Sequence, residues 1–131
     1  MQSITTFNSD LRYIFLPIFL KTKDNVSYEF EAILDTGAPL TEFSDEALQF
    51  MGLLNYKKEN VQLKPGFQTQ KYDKVVIPEI QICSQIVENL PVYVSHFEKS
   101  WGIKALIGLD FFRRFEVLIN YKLGQIITQP L

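Results

Sequence analysis

The apolar residues of this chain occur in short stretches rich in Ile, Val, Phe and Tyr, and turn-forming residues separate these stretches. Successive turns are roughly eight to twelve residues apart, a spacing that is typical of domains built from short β-strands. We therefore predict an all-β domain. The length of 131 residues fits a single domain, which we place over residues 1–131.

Stretches that combine β-branched and aromatic residues are predicted as strands. The predicted strands cover residues 11–21, 26–34, 61–63, 67–72, 74–82, 86–94, 115–120 and 125–128. In the strand 26–34, every second residue from Val26 to Ala32 is apolar or aromatic, which predicts one buried face. This strand ends directly before Asp35.

A short helix is predicted directly after residue 44. Ser44 is a suitable N-cap, because its hydroxyl oxygen can accept a hydrogen bond from a free amide of the first turn. Asp45 and Glu46 suit the positive end of the helix dipole, and Gly52 suits the helix end. We therefore interpret Asp45 and Glu46 as helix-end charges rather than as catalytic acids.

The composition argues against several classes of function. The formal net charge is −2 and no block of like charge occurs, so no nucleic acid and no membrane surface is expected as a partner. We find no run long enough to span a membrane and expect no secretory leader. The single cysteine, Cys83, excludes an internal disulfide, and a reduced, cytoplasmic location is expected. No Cys/His cluster predicts a metal, no cofactor is indicated, and His96 is interpreted as a surface-loop residue.

The segment Asp35-Thr36-Gly37-Ala38 carries the candidate chemistry, and it follows the apolar run 32–34. An acid, a hydroxyl and a glycine at the end of a buried strand suit a reactive loop, because apolar surroundings change the pKa of a carboxyl group. The glycine permits a sharp turn or the close approach of another group, and the threonine can hold the turn by a hydrogen bond. The same residues also suit an ordinary turn at the end of a strand.

A second segment favours the interpretation of residues 35–38 as a reactive loop over that of an ordinary turn. About 70 residues downstream, the apolar run 105–107 ends in Gly108, and a short helical pattern follows. Together, segments 33–38 and 106–108 resemble the paired motifs of the retropepsin-like aspartic proteases, which include retroviral proteases and their single-domain cellular and bacterial relatives. The stretch 111–122 resembles the bacterial branch, and the whole resemblance covers about residues 13–128.

This resemblance implies a small closed β-barrel of the retropepsin (acid protease) type with one or two short helices, and an aspartic endopeptidase activity on peptide or protein substrates. Asp35 would be the catalytic residue. Thr36 would brace the loop of a partner chain. Gly37 would leave room for the substrate and offer its backbone carbonyl, and Ala38 would contact the substrate backbone.

The resemblance also assigns roles outside this loop. Leu106, Ile107 and Gly108 would pack behind Asp35 and help to form the pocket wall. A flap hairpin would close over an extended peptide, with its tip at Pro65, Gly66 and Phe67. Proline followed by glycine fits a type II turn at that tip, although an ordinary surface hairpin fits equally well.

One Asp-Thr-Gly segment implies two chains, because peptide hydrolysis of this kind needs two carboxyl groups around one water. Asp110 lacks the Asp-Thr-Gly context, and we interpret it as the cap of a short helix that begins at Phe111. A homodimer with twofold symmetry would bring together one Asp35 from each chain.

Two positions depart from the retroviral pattern. Retroviral enzymes often carry an acid after the Ala of the first motif and an arginine after the later glycine, and the two side chains support the dimer. This chain has Pro39 and Leu109 at those places, so the viral mode of bracing is in doubt. Segments 3–6 and 126–128 could interleave into a dimer sheet as viral termini do.

Two alternatives to a protease remain open. One is a peptide-binding module that keeps the fold but hydrolyses little or nothing. The other is a structural β-domain in which Asp35 faces solvent in a turn. In the predicted loop 95–104, Trp101 either lines a substrate groove or closes the edge of the core.

Overall fold

The computed structural model describes residues 1–54 and 70–131, with the backbone alone for residues 70–73. The strands are Ser3–Thr6 (β1), Phe15–Lys21 (β2), Ser27–Leu34 (β3), Glu42–Ser44 (β4), Gln70–Ile82 (β5), Gln85–His96 (β6), Ala105–Ile107 (β7), Phe115–Asn120 (β8) and Gln125–Pro130 (β9). The helices are Asp45–Phe50 (α1) and Leu109–Phe112 (α2), with a 3₁₀ turn at Lys99–Trp101. The predicted all-β fold with short helices is confirmed.

Six of the described strands close into a barrel in the order β2-β3-β7-β4-β6-β5. The long antiparallel hairpins β2–β3 and β5–β6 form most of the wall, and they contain the larger part of the predicted strands 11–21, 26–34, 74–82 and 86–94. The short strands β4 and β7 complete the barrel through two parallel pairings, β3 with β7 and β4 with β6. These parallel pairings place the loop after β3 beside the loop after β7.

Alternate residues of the strands fill the barrel interior. On β2, the side chains of Leu16, Ile18 and Leu20 are buried, and the residues between them are more exposed. Phe43 on β4 and Phe111 on α2 are among the largest fully buried side chains. Close packing of these side chains supplies the main favourable free energy of folding.

The predicted inner face of the strand before Asp35 is largely confirmed. Ala32 is buried and Tyr28 and Phe30 are half-buried, whereas the residues between them are exposed. Val26 is an exception, because it lies in the turn before β3 and is exposed. Its carbonyl accepts the N–H of Thr22 at 3.0 Å and so closes that turn.

The predicted helix signals are also confirmed. The Ser44 Oγ accepts a hydrogen bond from the N–H of Ala47 at 3.0 Å, and Asp45 and Glu46 lie in the first turn of α1. The helix ends at Phe50, and Gly52 follows with a φ of +74° that favours glycine.

The two ends of the chain pair with each other. β1, β9 and β8 form a three-stranded antiparallel sheet, with Ile4 opposite Ile127. The sequence left open whether segments 3–6 and 126–128 interleave with a second chain. In the structure they form a ladder within one protomer, and β1 was not among the strands predicted from the sequence.

The described part of the chain contains no helix that is both long enough and apolar enough to cross a membrane.

We expect Ile80→Ala to destabilise the fold strongly, because Ile80 is fully buried in the barrel. Truncating a buried isoleucine removes apolar contact and leaves a cavity, at a cost of about 2–5 kcal/mol. Ile86 lies in the same hairpin but is 56% exposed, so Ile86→Ala should cost less than about 1 kcal/mol. Urea unfolding at one protein concentration measures both changes, and equal losses would contradict the inward orientation of Ile80.

Candidate active site

The end of β3 places Asp35 at an edge of the barrel. β3 and β7 run parallel, and Ile33 lies opposite Leu106. The Asp35 N–H continues this ladder by donating to the Ile107 carbonyl, with an N···O distance of 2.9 Å. Because parallel strands end at the same edge of a sheet, the two motifs singled out in the sequence lie side by side.

Asp35 holds its own turn. Its Oδ1 accepts the N–H of Gly37 at 3.1 Å, and its carbonyl accepts the N–H of Ala38 at 3.2 Å. An aspartate that accepts from the backbone two residues on forms an Asx turn, which fixes the orientation of the carboxylate. The sequence suggested that Thr36 could hold this turn. In the structure Asp35 does so, and Thr36 is exposed.

Gly108 packs directly behind this loop. A Cβ atom at residue 108 would lie 2.7 Å from the Ala38 carbonyl oxygen and 2.9 Å from the Leu40 carbonyl group. The Leu109 N–H donates to the Ala38 carbonyl at 2.9 Å, and the Asp110 N–H donates to the Pro39 carbonyl at 3.2 Å. Glycine is therefore required at this position by lack of space, since the backbones of the two loops touch.

A buried hydrogen-bond network joins the same two loops. Thr41, which is fully buried, donates its hydroxyl to Asp110 Oδ1 at 2.6 Å and its N–H to Asp110 Oδ2 at 3.0 Å. The Thr41 Oγ1 also accepts the Gly108 N–H at 3.0 Å. The interpretation of Asp110 as the cap of a helix from Phe111 was wrong. The helix begins at Leu109 with Gly108 as its N-cap, and the Asp110 carboxylate binds Thr41 instead.

A cavity of about 690 Å³ opens beside Asp35. Its volume is in the range of sites that enclose small ligands. The cavity is lined by Tyr13, Ile33, Leu34, Asp35, Phe97, Trp101, Ile103 and Leu106. Among these described residues Asp35 is the only carboxylate, and the others are apolar or aromatic. Asp35 thus borders an apolar cavity, whereas the structural β-domain alternative would have it simply facing solvent.

The three residues proposed for the pocket wall occupy different places. Leu106 lines the cavity, whereas Ile107 is fully buried in the barrel core, because successive residues of a strand point to opposite faces. Gly108 lies behind the Asp35 loop. Trp101 is half-exposed and lines the cavity rather than closing the edge of the core.

The segment that carries Trp101 begins at an ion pair that the sequence did not reveal. His96 Nδ1 lies 2.9 Å from Oδ2 of Asp45, which is buried. The hydrogen bond to Asp45 and then the negative charge of Asp45 raise the pKa of His96 above its ordinary value of 6.5. His96 is half-exposed, as predicted for a surface residue, but it ends strand β6 instead of lying in a loop, and this contact holds it.

The predicted flap tip at Pro65, Gly66 and Phe67 lies outside the described residues. Across residues 1–54 and 70–131, no group of three or more His, Cys, Asp or Glu side chains is arranged to hold a metal ion.

A family model described as "gag-polyprotein putative aspartyl protease" matches residues 24–114, which is more than half of the chain. The chain belongs to this family. The matched range includes both the Asp35 loop and the Gly108 loop. No curated protein sequence matches the chain.

Solved structures show the fold of this family member. A retropepsin-like aspartic protease from Rickettsia conorii superposes with a TM-score of 0.70 at 19% identity, over 98% of this chain and 90% of that one. The retroviral protease-like domain of Ddi1 from Leishmania major superposes with a TM-score of 0.56 at 15% identity, over 92% of this chain and 95% of that one. The predicted retropepsin-like barrel is confirmed.

We expect Gly108→Ala to destabilise the protein, because the new methyl group would overlap the backbone of the Asp35 loop. Overpacking of this kind costs about 1–3 kcal/mol. Gly37→Ala is the matched control, since its Cβ would meet only Asp35 Oδ1 at an ordinary 3.4 Å. The free energy of unfolding in urea should fall for Gly108→Ala and change by less than about 0.5 kcal/mol for Gly37→Ala. Equal stability of the two variants would refute the close contact.

Replacing Thr41 by valine should also destabilise the protein. The change keeps the shape of the side chain but leaves the buried Gly108 N–H without its acceptor and Asp110 without one donor. Loss of a partner for buried polar groups costs about 1–3 kcal/mol. Thr41→Ser keeps the hydroxyl and should be the milder change, and a larger loss for serine than for valine in urea unfolding would contradict the network.

Proposed function

We propose that this chain is an aspartic endopeptidase that acts as a homodimer. A water held between two Asp35 carboxyl groups would attack the carbonyl carbon of the scissile peptide bond. One carboxylate would take a proton from the water while the protonated partner donates to the carbonyl oxygen. Collapse of the tetrahedral intermediate would then break the C–N bond, with a proton passing to the leaving amine.

The observation that carries this proposal is the position of Asp35. It is the only carboxylate among the described residues that line the apolar cavity. It begins a turn in which the next two residues, Thr36 and Gly37, are exposed. A single carboxylate cannot both accept and donate a proton in one step. An exposed turn can meet its counterpart on a twofold axis, which would supply the second carboxylate.

The remaining roles belong to the same proposal. Thr36 would brace the partner's loop across the axis, and Gly37 and Ala38 would contact the substrate backbone. Leu106 would bound the pocket directly, whereas Ile107 and Gly108 would support the loop from behind. The flap residues named above would cover the substrate. A peptide or protein substrate, no bound cofactor and a cytoplasmic location also remain parts of the proposal.

A peptide-binding module is the second candidate. In the described part of one protomer, the Asp35 loop is already held by backbone bonds to Leu109 and Asp110 and by the buried Thr41 network. Such a loop does not need a second chain to keep its shape. Pro39 and Leu109 also replace the charged pair that braces retroviral dimers. A protomer that stays monomeric would offer an apolar cavity for a peptide side chain but only one carboxylate.

Cleavage of a diverse peptide library across pH tests the proposal. Asp35→Asn removes the group that exchanges the proton, so we expect cleavage to fall by at least about a hundredfold. Glu31→Gln is the matched control, because Glu31 is exposed on the same strand and does not line the cavity. It should retain wild-type rates.

Both variants are compared with the wild type at matched dimer concentration, and the dimer is verified by sedimentation. Saturable cleavage that a statine-type inhibitor blocks would eliminate the binding module. Undiminished cleavage by Asp35→Asn would refute the aspartic mechanism. Peptide binding without cleavage by a verified wild-type dimer would favour the binding module.

A further inference from the structure

One wall of the cavity beside Asp35 comes from a segment with little regular structure. Phe97, Trp101 and Ile103 line the cavity. The segment runs from the end of β6 to the start of β7, and its only regular element is a short 3₁₀ turn. We call residues 97–103 the wall segment. Phe97 is buried and Trp101 is half-exposed. The position of this wall therefore depends on how the ends of the segment are held.

Among the described residues, three polar contacts hold the wall segment to the start of α1. The Lys104 carbonyl accepts the Ser44 N–H at 2.8 Å at one end. In the middle, Lys99 Nζ lies 3.7 Å from Glu46 Oε1, and both side chains are largely exposed. At the other end, His96 Nδ1 lies 2.9 Å from Asp45 Oδ2.

These contacts differ in strength. An ion pair between two exposed side chains is worth little, so the Lys99–Glu46 pair contributes least. Asp45 is only 8% exposed, and its Oδ1 already accepts the Glu46 N–H at 2.8 Å. This carboxylate is fixed in orientation before His96 binds it, which reduces the entropy lost when the pair forms. Of the two described side-chain contacts, the His96–Asp45 pair is thus the stronger.

We propose that His96 and Asp45 are positioning residues, whose ion pair holds the wall segment against the cavity and so sets how well the cavity accepts a large apolar side chain. Neither residue lines the cavity. They act through Phe97, which follows His96 directly, and through Trp101. That the large apolar side chain in the cavity belongs to a substrate rests on the proposed function. The positioning of the wall segment by His96 and Asp45 does not.

The positioning depends on pH. Asp45 raises the pKa of His96, first by its hydrogen bond and then by its charge, and Glu98 and Glu46 add smaller effects in the same direction. Because the folded-state pKa is raised, the stabilisation by this pair is fully present below the ordinary pKa of 6.5. It is lost as the pH rises through the higher pKa of the folded state. The wall segment should therefore be held less firmly at a pH above the raised pKa of His96.

Charged groups near His96 come from two elements in the part of the chain whose side chains the structure describes. α1 contributes Asp45 and Glu46, and the wall segment itself contributes Glu98 and Lys99. Across the β5–β6 ladder, the backbone of Gln70 lies opposite His96 and that of Lys71 opposite Ser95. Asp45, Glu98 and Glu46 all raise the pKa of His96. The contact should therefore weaken as the pH rises.

Trp101 offers a direct measurement, because it is the only tryptophan of the chain and belongs to the wall segment. We would follow its fluorescence between about pH 5 and 9, where histidine titrates. The wild type should show a transition with a midpoint above 6.5. His96→Gln keeps a polar side chain but cannot titrate, so this transition should disappear. Asp45→Asn should remove or lower it as well, and it keeps an Oδ1 acceptor for the Glu46 N–H.

Two controls isolate the ion pair. The titration is repeated in an Asp35→Asn background, so that a charge change at Asp35 is not mistaken for His96. Lys99→Gln removes the exposed neighbouring pair and should leave the transition in place. Circular dichroism verifies that each variant is folded. A constant wild-type emission, or the same transition in His96→Gln, would overturn the proposal.

The effect on the cavity is measured by binding, without turnover. Two hexapeptides of Ser and Thr, one with a single Phe and one with a single Ala, are titrated into the Asp35→Asn background with and without His96→Gln. At about pH 6 the Kd of the Phe peptide should rise about two- to fivefold in His96→Gln, the range expected for a partly exposed ion pair. The Ala peptide should be unaffected.

Equal changes for both peptides, or no change for either, would refute the link between the ion pair and the cavity. These binding and fluorescence results do not depend on hydrolysis. Absence of cleavage by the wild type would therefore count against the proposed function and not against the positioning role of His96 and Asp45.

Discussion

The contact between Gly108 and the carbonyl groups of Ala38 and Leu40 is the constraint on which the site depends. With no side chain at residue 108, the first amides of α2 reach the carbonyls of Ala38 and Pro39 and bond to them. The Asp35 loop is therefore attached to α2 by backbone groups, and α2 is anchored in the core by the fully buried Phe111. Because the interior is close-packed, a displacement of this loop would have to move the core with it. The carboxylate is thus held by the barrel rather than by its own side-chain contacts alone.

This arrangement suits a site that two protomers would complete. Binding between proteins is weakened when loops must become ordered as the complex forms. Here the Asx turn at Asp35 and the Thr41–Asp110 network already fix the loop within one protomer. A second copy would find a preformed surface, with Thr36 and Gly37 exposed. The same rigidity explains how the site could tolerate Pro39 and Leu109 in place of a charged bracing pair, because the loop is held from behind.

The features that were predictable from the sequence are those with a local physical signal. The alternation before Asp35, the Ser44 cap and the apolar run before Gly108 each fall within a few neighbouring residues.

Strand β4 has three residues and β1 has four, so neither is long enough to show a clear alternation. Thr41 and Asp110 are 69 residues apart, and His96 and Asp45 are 51 apart. Both acids also had a sufficient local explanation, Asp45 as a helix-end charge and Asp110 as a helix cap. Only the closure of the barrel brings each acid to its partner. The apolar cavity likewise depends on closure, because its lining comes from four separate stretches of the chain.

The chemistry of histidine gives the cavity wall a property that lysine would not. A lysine at residue 96 would remain charged throughout the neutral range, and its contact with Asp45 would be present at every pH at which the protein is folded. A histidine changes charge near neutrality, and the hydrogen bond that protonated His96 donates to Asp45 raises the pKa of His96 above 6.5. Two carboxyl groups that share a proton are active only while one of them retains it. Acidic pH would therefore favour both the active form of such a dyad and the His96–Asp45 ion pair. The wall would then be held in place over the acidic range in which such a dyad works.

Loosening of the wall segment at higher pH would affect the binding of a large side chain separately from the chemical step. The two effects therefore arise from different groups, and the ion pair acts on the cavity whether or not hydrolysis occurs.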